Sequence, residues 1–229
     1  MKYEVQERDV FKLHKHQISD YVGVIVFCFC IYLSAFIIAF SFCFTSSYVF
    51  GESMKPNINN YADYEHNRDI VYINKTASYT YGDVIVIQRQ DYQIVKRVIA
   101  LPGDTINITH SGGDYYVERN GQRLQEDYIR IVPGSSDSNG MYKEYTFFQT
   151  YKEDNKDKLQ FVNPDNYLNS AIVVGENEVF VLGDNRHNSN DSSSEGCFSM
   201  SKVVGKVELL VYSGESVFLR LLDYFYNPF

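Results

Sequence analysis

The 229-residue chain is 45% hydrophobic and 16% aromatic, which suffices for one folded domain of ordinary size plus extra segments and excludes an intrinsically disordered chain. Its formal charge of -8 argues against nucleic-acid binding, because such a protein needs a basic face that neutralises phosphates. The 20 tyrosines and 16 phenylalanines, with only 5 prolines, favour a β-rich body over a helical bundle.

The cysteine and histidine positions give no sign of a disulfide framework or a metal site. Cys28, Cys30 and Cys43 lie in an apolar stretch near the N-terminus, and only Cys197 lies beyond it, so the rest of the chain cannot form an internal disulfide. Neither H-E-x-x-H nor C-x-x-C occurs, so the spacings typical of zinc ligands are missing. We therefore expect no metal ion and no cofactor.

The first predicted element is a transmembrane helix. From Tyr21 to Phe44 the chain reads YVGVIVFCFCIYLSAFIIAFSFCF without a charged residue, and a helix of this length can cross a hydrocarbon core of about 30 Å. A cleavable signal peptide is the alternative, but its apolar core has only about 7–15 residues and is followed by an A-x-A-like site, which is missing here. We interpret the segment as an uncleaved anchor.

Basic residues predict the orientation of this anchor. Residues 1–20 carry four of them, Lys2, Arg8, Lys12 and Lys15, whereas only Lys55 follows closely on the other side. By the positive-inside rule, the N-terminal segment should be cytoplasmic and residues 45–229 extracytoplasmic.

Short runs in which apolar and polar residues alternate predict a mostly β extracytoplasmic domain after the anchor. The runs are, in chain order, YVFGE, RDIVYIN, GDVIVIQ, QIVKRVIAL, DTINI, DYYVERNGQRL, NEVFVLGD and KVVGKVELLVY. Asn120-Gly121 divides one of them, and this pair favours a hairpin because a type I′ turn needs positive φ at both central positions.

Two later regions do not follow the strand pattern. The polar stretch from Gly134 to Asn169 has no sustained period, which predicts an inserted lobe within a variable region of about 114–177. The tail SVFLRLLDYFYNPF is apolar but too short to span a bilayer. It is either a packed terminal helix, which we favour, or a helix at the membrane interface.

Four sequence motifs, which follow one another in order after the anchor, carry a family resemblance. GESMKP covers Gly51 to Pro56, KRVIALPGD covers Lys96 to Asp104, and GDNRHNSNDS covers Gly183 to Ser192, with GDVIVIQ between the first two. Each motif alone is weak evidence, but their order behind one anchor is highly specific. The chain resembles the type I signal peptidases, membrane-anchored serine endopeptidases, and especially the Gram-positive type with a single N-terminal anchor.

The resemblance implies a Ser-Lys endopeptidase with Ser53 as the nucleophile and Lys96 as its base. A lysine can act as a base only when neutral, so Lys96 should be buried among apolar groups that lower its pKa. Strand alternation puts Lys96 on the same face as Ile94 and Val98, while Arg97 points the opposite way.

The resemblance also assigns supporting roles. Ser189 and Asp191 match the serine and aspartate that hydrogen-bond near the lysine, and Gly183 and Asp184 shape the preceding turn. Gly51 stands where some members have a serine that helps to bind the oxyanion, so backbone N–H groups, including that of Ser53, should take over this role. Two further departures from the family pattern are Ser193 in place of an arginine and Asn57 in place of a threonine.

The resemblance implies that the substrates are signal-peptide-bearing preproteins, cut after small residues near the secretion translocon and the membrane lipid. The substrate should lie extended beside a strand edge. One alternative is a catalytically weak paralogue that acts as an export or surface-assembly chaperone, which loss of Ser53 or Lys96 would have indicated. Another is an anchored adhesion or ligand-binding domain, which leaves the order of the motifs unexplained.

Overall fold

The computed structural model describes residues 2–59, 68–129, 141–156 and 170–226. The chain divides into two compact units, Met1–Phe44 and Thr45–Phe229.

The first unit is built on one long helix, α1 (Lys2–Cys43). Its segment Tyr21–Cys43 is long and apolar enough to cross a membrane, and the side chains in it are almost all exposed. The prediction of one membrane-length helix is confirmed, with one correction at its end. Phe44 is not the last residue of the helix but the first of strand β1 (Phe44–Tyr48).

The second unit contains two antiparallel sheets, so the prediction of a mostly β fold is confirmed. The strands after β1 are β2 (Ile70–Asn74), β3 (Val84–Gln88), β4 (Gln93–Ala100), β5 (Thr105–Ser111), β6 (Asp114–Arg119), β7 (Gln122–Arg123), β8 (Ile172–Val173), β9 (Glu178–Leu182), β10 (Phe198–Ser199) and β11 (Val203–Val211). One sheet has the order β1-β2-β11-β3-β4-β9-β10, and the other has the order β7-β6-β5-β8. The helices of this unit are α2 (Met141–Asp154), α3 (Ser192–Glu195) and α4 (Val217–Tyr226).

Strand β4 lies inside the larger sheet and carries the predicted base. It pairs antiparallel with β3, where Lys96 is opposite Ile85, and with β9 from Arg97 onward. Val98 belongs to the same buried cluster as Ile85, and Ile94 packs against that cluster, whereas Val95 packs against the cluster that contains Met54. The predicted alternation along this strand is therefore confirmed.

The first predicted strand is misplaced. The run YVFGE was expected to be extended, but the strand ends at Tyr48, and Gly51 begins a turn with φ of 87°. This positive φ is favourable only for glycine, so the strand cannot continue through it.

The predicted hairpin is confirmed. β6 and β7 pair across Asn120 and Gly121, whose φ angles are 54° and 73°, and Arg119 is opposite Gln122. Both central residues are left-handed, as a type I′ turn requires.

Helix α2 was not predicted. It lies in the stretch that was expected to be irregular, and its buried residues Met141, Glu144, Phe148 and Lys152 recur at helical spacing. Two of these four are charged, so the apolar stripe that would have revealed the helix is interrupted. The remainder of the predicted lobe, residues 134–140 and 157–169, lies outside the described residues.

Helix α2 joins the two sheets through a shared core. Phe148 packs edge-on against Phe180 of β9, with ring centroids 6.0 Å apart, and the same cluster includes Ile106 and Val117 of the smaller sheet.

Candidate active site

The structure brings the two predicted catalytic residues together. Lys96 Nζ lies 2.6 Å from Ser53 Oγ, although 43 residues separate them in sequence. Ser53 sits in the turn after β1, and Lys96 projects from β4. The Lys96 amine also donates to the backbone carbonyl of Val95 at 3.1 Å. A hydroxyl and an amine in direct hydrogen-bond contact are the minimum that a Ser-Lys mechanism requires.

Burial prepares Lys96 to act as a base. Only 2% of the residue is exposed, and this desolvation lowers its pKa from 10.5 to about 8. The negative charge of Asp191 opposes the effect by favouring the ammonium, and the positive charge of Arg89 assists it. Desolvation has the largest effect on the pKa, so an appreciable fraction of the amine is neutral near physiological pH.

The backbone around Ser53 is held by the loop after β9. The N–H of Asn185 donates to the carbonyl of Ser53 at 2.9 Å, and the Asn185 side chain donates to the carbonyl of Glu52 at 3.0 Å. Next in the chain, Met54 is 2% exposed and packs into a hydrophobic cluster. Asn185 was not singled out from the sequence, although it lies within the GDNRHNSNDS motif.

Gly183 is required by close packing. A Cβ at this position would lie 2.5 Å from the Ser53 carbonyl oxygen and would also collide with the Ser189 hydroxyl. Its backbone N–H donates to Asp191 Oδ2 at 2.9 Å. The absence of a side chain thus lets the loop approach the backbone of Ser53.

Ser189 and Asp191 form a buried pair beside this loop. Their exposed fractions are 7% and 0%. The Ser189 hydroxyl donates to Asp191, whose other carboxylate oxygen accepts from the Ser193 N–H at 3.1 Å and caps α3. Asp191 acts on Lys96 through its charge, whereas the direct hydrogen bonds of the amine go to Ser53 and Val95.

Asp184 forms a buried ion pair with Arg97. The guanidinium is bidentate, with Nε 2.8 Å from Oδ1 and Nη2 2.6 Å from Oδ2. Asn57 Nδ2 also donates to Asp184, at 2.7 Å, so the residue that replaces the family's threonine is part of this network. Arg97 was predicted to lie on the opposite strand face from Lys96, and the sequence indicated no role for it. From there it holds the loop that supports Ser53.

A carboxyl group near the site comes from the unpredicted helix. Glu144 of α2 is 1% exposed, and burial, followed by the negative charge of Asp191, raises its pKa well above the ordinary value. Its Oε2 and the hydroxyl of Ser193 are buried without a hydrogen-bond partner among the described residues. The environment of Glu144 therefore favours its protonated form. No motif in the sequence marks it.

Two other predicted features are placed by the structure. Gly51 has φ of 87°, and the Ser53 N–H donates no hydrogen bond within the described ranges, so it is available to a ligand. Lys55 forms a 2.8 Å ion pair with Glu52 and is not part of the contact between Ser53 and Lys96.

An open groove of about 570 Å³ leads to the two residues. Its lining includes Ser47 and Tyr48 of β1, the N-terminal half of β4, and the exposed ring of Phe50. β1 is an edge strand, and the pairing of β4 with β9 begins only at Arg97. The groove therefore offers extended backbone beside the Ser53 hydroxyl.

The chain is similar to several known proteins. A family model described as "Signal peptidase, peptidase S26" matches residues 20–212. The chain is 30% identical to Signal peptidase I S of Bacillus subtilis (strain 168) over 177 residues, which are 75% of this chain and 79% of that protein. It is 31% identical to Signal peptidase I P of Bacillus subtilis subsp. natto over 219 residues, 89% of this chain and 94% of that protein. A crystal structure of a signal peptidase I from Enterococcus faecalis V583 has a TM-score of 0.34 at 25% identity and covers 57% of this chain and 97% of its own.

Proposed function

The chain belongs to the signal peptidase family, peptidase S26, and is a signal peptidase I, a serine endopeptidase that removes signal peptides from preproteins; we propose that Ser53 is its nucleophile and Lys96 its general base. The observation that carries this assignment is the 2.6 Å contact between the Ser53 hydroxyl and the buried Lys96 amine.

In the proposed reaction, neutral Lys96 removes the proton of Ser53 Oγ as that oxygen attacks the scissile carbonyl carbon. The resulting ammonium then gives this proton to the departing amine, which leaves an acyl-enzyme ester on Ser53. Lys96, neutral again, takes a proton from a water molecule that attacks the ester carbon. The C–O bond to Ser53 then breaks and releases the free acid, and the Lys96 ammonium returns its proton to Ser53 Oγ, which restores the starting state. Each step moves one proton, so a single lysine suffices for both halves of the reaction.

The oxyanion that forms in each half needs hydrogen-bond donors. The Ser53 N–H is one of them, because it has no acceptor within the described part of the chain. Gly51 offers no side-chain hydroxyl, so backbone donors carry this role. Asn185 and Gly183 contribute indirectly, by fixing the Ser53 carbonyl and with it the direction of the neighbouring amides.

The groove accounts for an extended substrate. A peptide lying between β1 and the free edge of residues 93–96 would gain backbone hydrogen bonds from both sides, since both edges are open. Shallow pockets near the cut would admit small side chains, as the family resemblance implies.

The apolar helix is consistent with a membrane anchor. Residues 1–20 lie in the cytoplasm, and the catalytic domain, residues 45–229 with its variable region about 114–177, lies outside, where signal peptides emerge close to the translocon. The support for this orientation is the excess of basic residues before the span.

The assignment is tested with the full-length protein in detergent and a signal-bearing preprotein. Ser53→Ala should lower cleavage by at least about a thousandfold without changing the thermal unfolding midpoint, because it removes one hydroxyl. Lys96→Met should be equally inactive. Lys96→Arg should also fail, because a guanidinium does not lose its proton at working pH.

Lys55→Ala is the matched control, since Lys55 is the lysine nearest Ser53 in sequence and is paired with Glu52 instead. It should retain near-wild-type turnover. Substantial cleavage by Ser53→Ala or Lys96→Arg, or loss of activity in Lys55→Ala alone, would refute the assignment.

A further inference from the structure

Helix α4 presents an apolar surface that the described residues leave partly exposed. On a helix with 3.6 residues per turn, Val217, Phe218, Leu221 and Leu222 fall within an arc of about 140°. Their exposed fractions are 40%, 67%, 41% and 39%, and the neighbouring Leu219 is 65% exposed. The prediction that this tail packs against the domain is therefore wrong for these side chains. A contiguous apolar surface of this kind on a folded domain marks a contact site.

The charged residues of α4 face the other way and attach it to the sheet. Arg220 Nε donates to the Leu210 carbonyl of β11 at 3.0 Å, and Arg220 pairs with Asp223 at 2.9 Å. The guanidinium also lies 5.5 Å from the centre of the Tyr212 ring. These contacts fix which side of the helix meets the protein and leave the apolar arc pointing outward.

The corner of the sheet that carries α4 also carries the exposed aromatic residues that follow the anchor. Asp69 links the two: its carbonyl accepts from the Val49 N–H at 2.9 Å, and its side chain accepts from the Ser213 N–H at 3.0 Å. Phe50, next to Val49, is 65% exposed, and Ser213 lies four residues before α4. The exposed ring of Phe50, which borders the groove, and helix α4 thus lie at the same end of neighbouring strands.

The covalent link to the anchor keeps this surface close to a membrane. Phe50 follows Cys43, the end of the apolar span, by seven residues, so it stays within about 25 Å of that end in any arrangement. A lipid surface is therefore within reach of this corner whenever the anchor is inserted. α4 has one basic and one acidic side chain in its described part, so its attraction to lipid is apolar and needs no anionic headgroup.

We infer that α4 is an interfacial helix that rests its apolar arc on the membrane in which the same chain is anchored. Contact at this corner would hold the groove rim formed by Tyr48 and Phe50 against the bilayer. A second copy of the chain is the other occupant that could cover the arc. The membrane is favoured because the anchor guarantees its proximity, whereas a second copy must be recruited.

The absence of tryptophan from the sequence gives a direct test. The full-length Phe218→Trp protein is reconstituted into phosphatidylcholine vesicles, and its fluorescence is recorded with ordinary and with brominated acyl chains. Tyr142→Trp is the matched control, because Tyr142 is also a ring more than half exposed but lies on α2. Leu222→Trp is a second reporter on the same arc.

The expected result is a blue-shifted emission from both α4 reporters and at least about threefold stronger quenching by brominated lipid than the control shows, unchanged between low and high salt. Water-like, unquenched emission from both would overturn the inference. A blue shift without quenching would also overturn it, because it would show that protein and not lipid covers the arc. No substrate is used, so the outcome does not depend on the assignment of Ser53 and Lys96.

Discussion

Cleavage by this signal peptidase should follow the deprotonation of Lys96, and the structure sets the pH at which that happens. Burial lowers the pKa of Lys96 from 10.5 to about 8. At pH 7 the neutral fraction is then about a tenth, compared with about 0.03% for an ordinary lysine. This difference of roughly 300-fold in reactive enzyme is the contribution of the buried position.

The measurement is kcat/KM on a short signal-like peptide between pH 5 and pH 10, because this quantity reports the pKa values of the free enzyme. The rate constant should rise about tenfold per pH unit in acid and level off above pH 8, with a total gain of about 90-fold from pH 6 to pH 9. A profile that still rises tenfold per unit at pH 9 would show that Lys96 titrates as an exposed lysine.

Arg89→Gln perturbs this titration in a defined direction. The positive charge of Arg89 lowers the pKa of Lys96, and Arg89 is paired with Glu195. Removing the charge, and freeing that carboxylate, should move the midpoint to higher pH. Lys206→Gln is the matched control, since it removes a cation that is paired with Asp83 elsewhere on the sheet. A midpoint that falls in Arg89→Gln, or moves equally in both variants, would refute the electrostatic reasoning.

Four further outcomes are expected. Asp184→Ala should cost about 3–5 kcal/mol of unfolding free energy in denaturant titrations, because it leaves the Arg97 guanidinium without its carboxylate; a loss below 1 kcal/mol would contradict this. Gly183→Ala should lower kcat more than tenfold, because its Cβ displaces the nucleophile's backbone; unchanged kcat would show that the loop yields freely. Glu144→Gln should raise the thermal midpoint at pH 8 but not at pH 4, because the raised pKa of Glu144 makes the folded state lose stability as pH rises above 4.5; an equal change at both pH values would exclude this titration. Deleting residues 1–44 should leave peptide cleavage within about threefold but slow membrane-inserted precursors at least tenfold; equal slowing of both would mean that the anchor supports the fold.

Local sequence patterns determined much of this protein. A run without charges defined the apolar span, alternation defined most strands of both sheets, and Asn120-Gly121 defined a hairpin. The same alternation separated Lys96 from Arg97 on β4. These predictions succeed because each depends only on residues that are neighbours in the chain. The periodicity of a helix or strand then fixes which of their side chains share a face.

Helix α2 shows where local patterns failed. Its buried positions include Glu144 and Lys152, which a sequence pattern assigns to solvent. Their burial is decided by what packs around them, and Lys152 hydrogen-bonds Asn107 of β5 at 2.6 Å. The helix could therefore be recognised only from the tertiary structure, in which it packs against the sheet.

The order of the motifs predicted Ser53 and Lys96 as the catalytic pair, but only the tertiary structure shows which residues surround them. Arg97 pairs with Asp184, from which 87 residues separate it in sequence. The ionisable side chain beside Asp191 is Glu144. The family resemblance had suggested an arginine near Asp191, at position 193. The pKa of a buried group is a sum over desolvation and charges that arrive from distant segments. Those distances cannot be read from the spacing of residues in the sequence. The protonation state of Lys96, on which the proposed chemistry depends, is therefore a property of the tertiary structure.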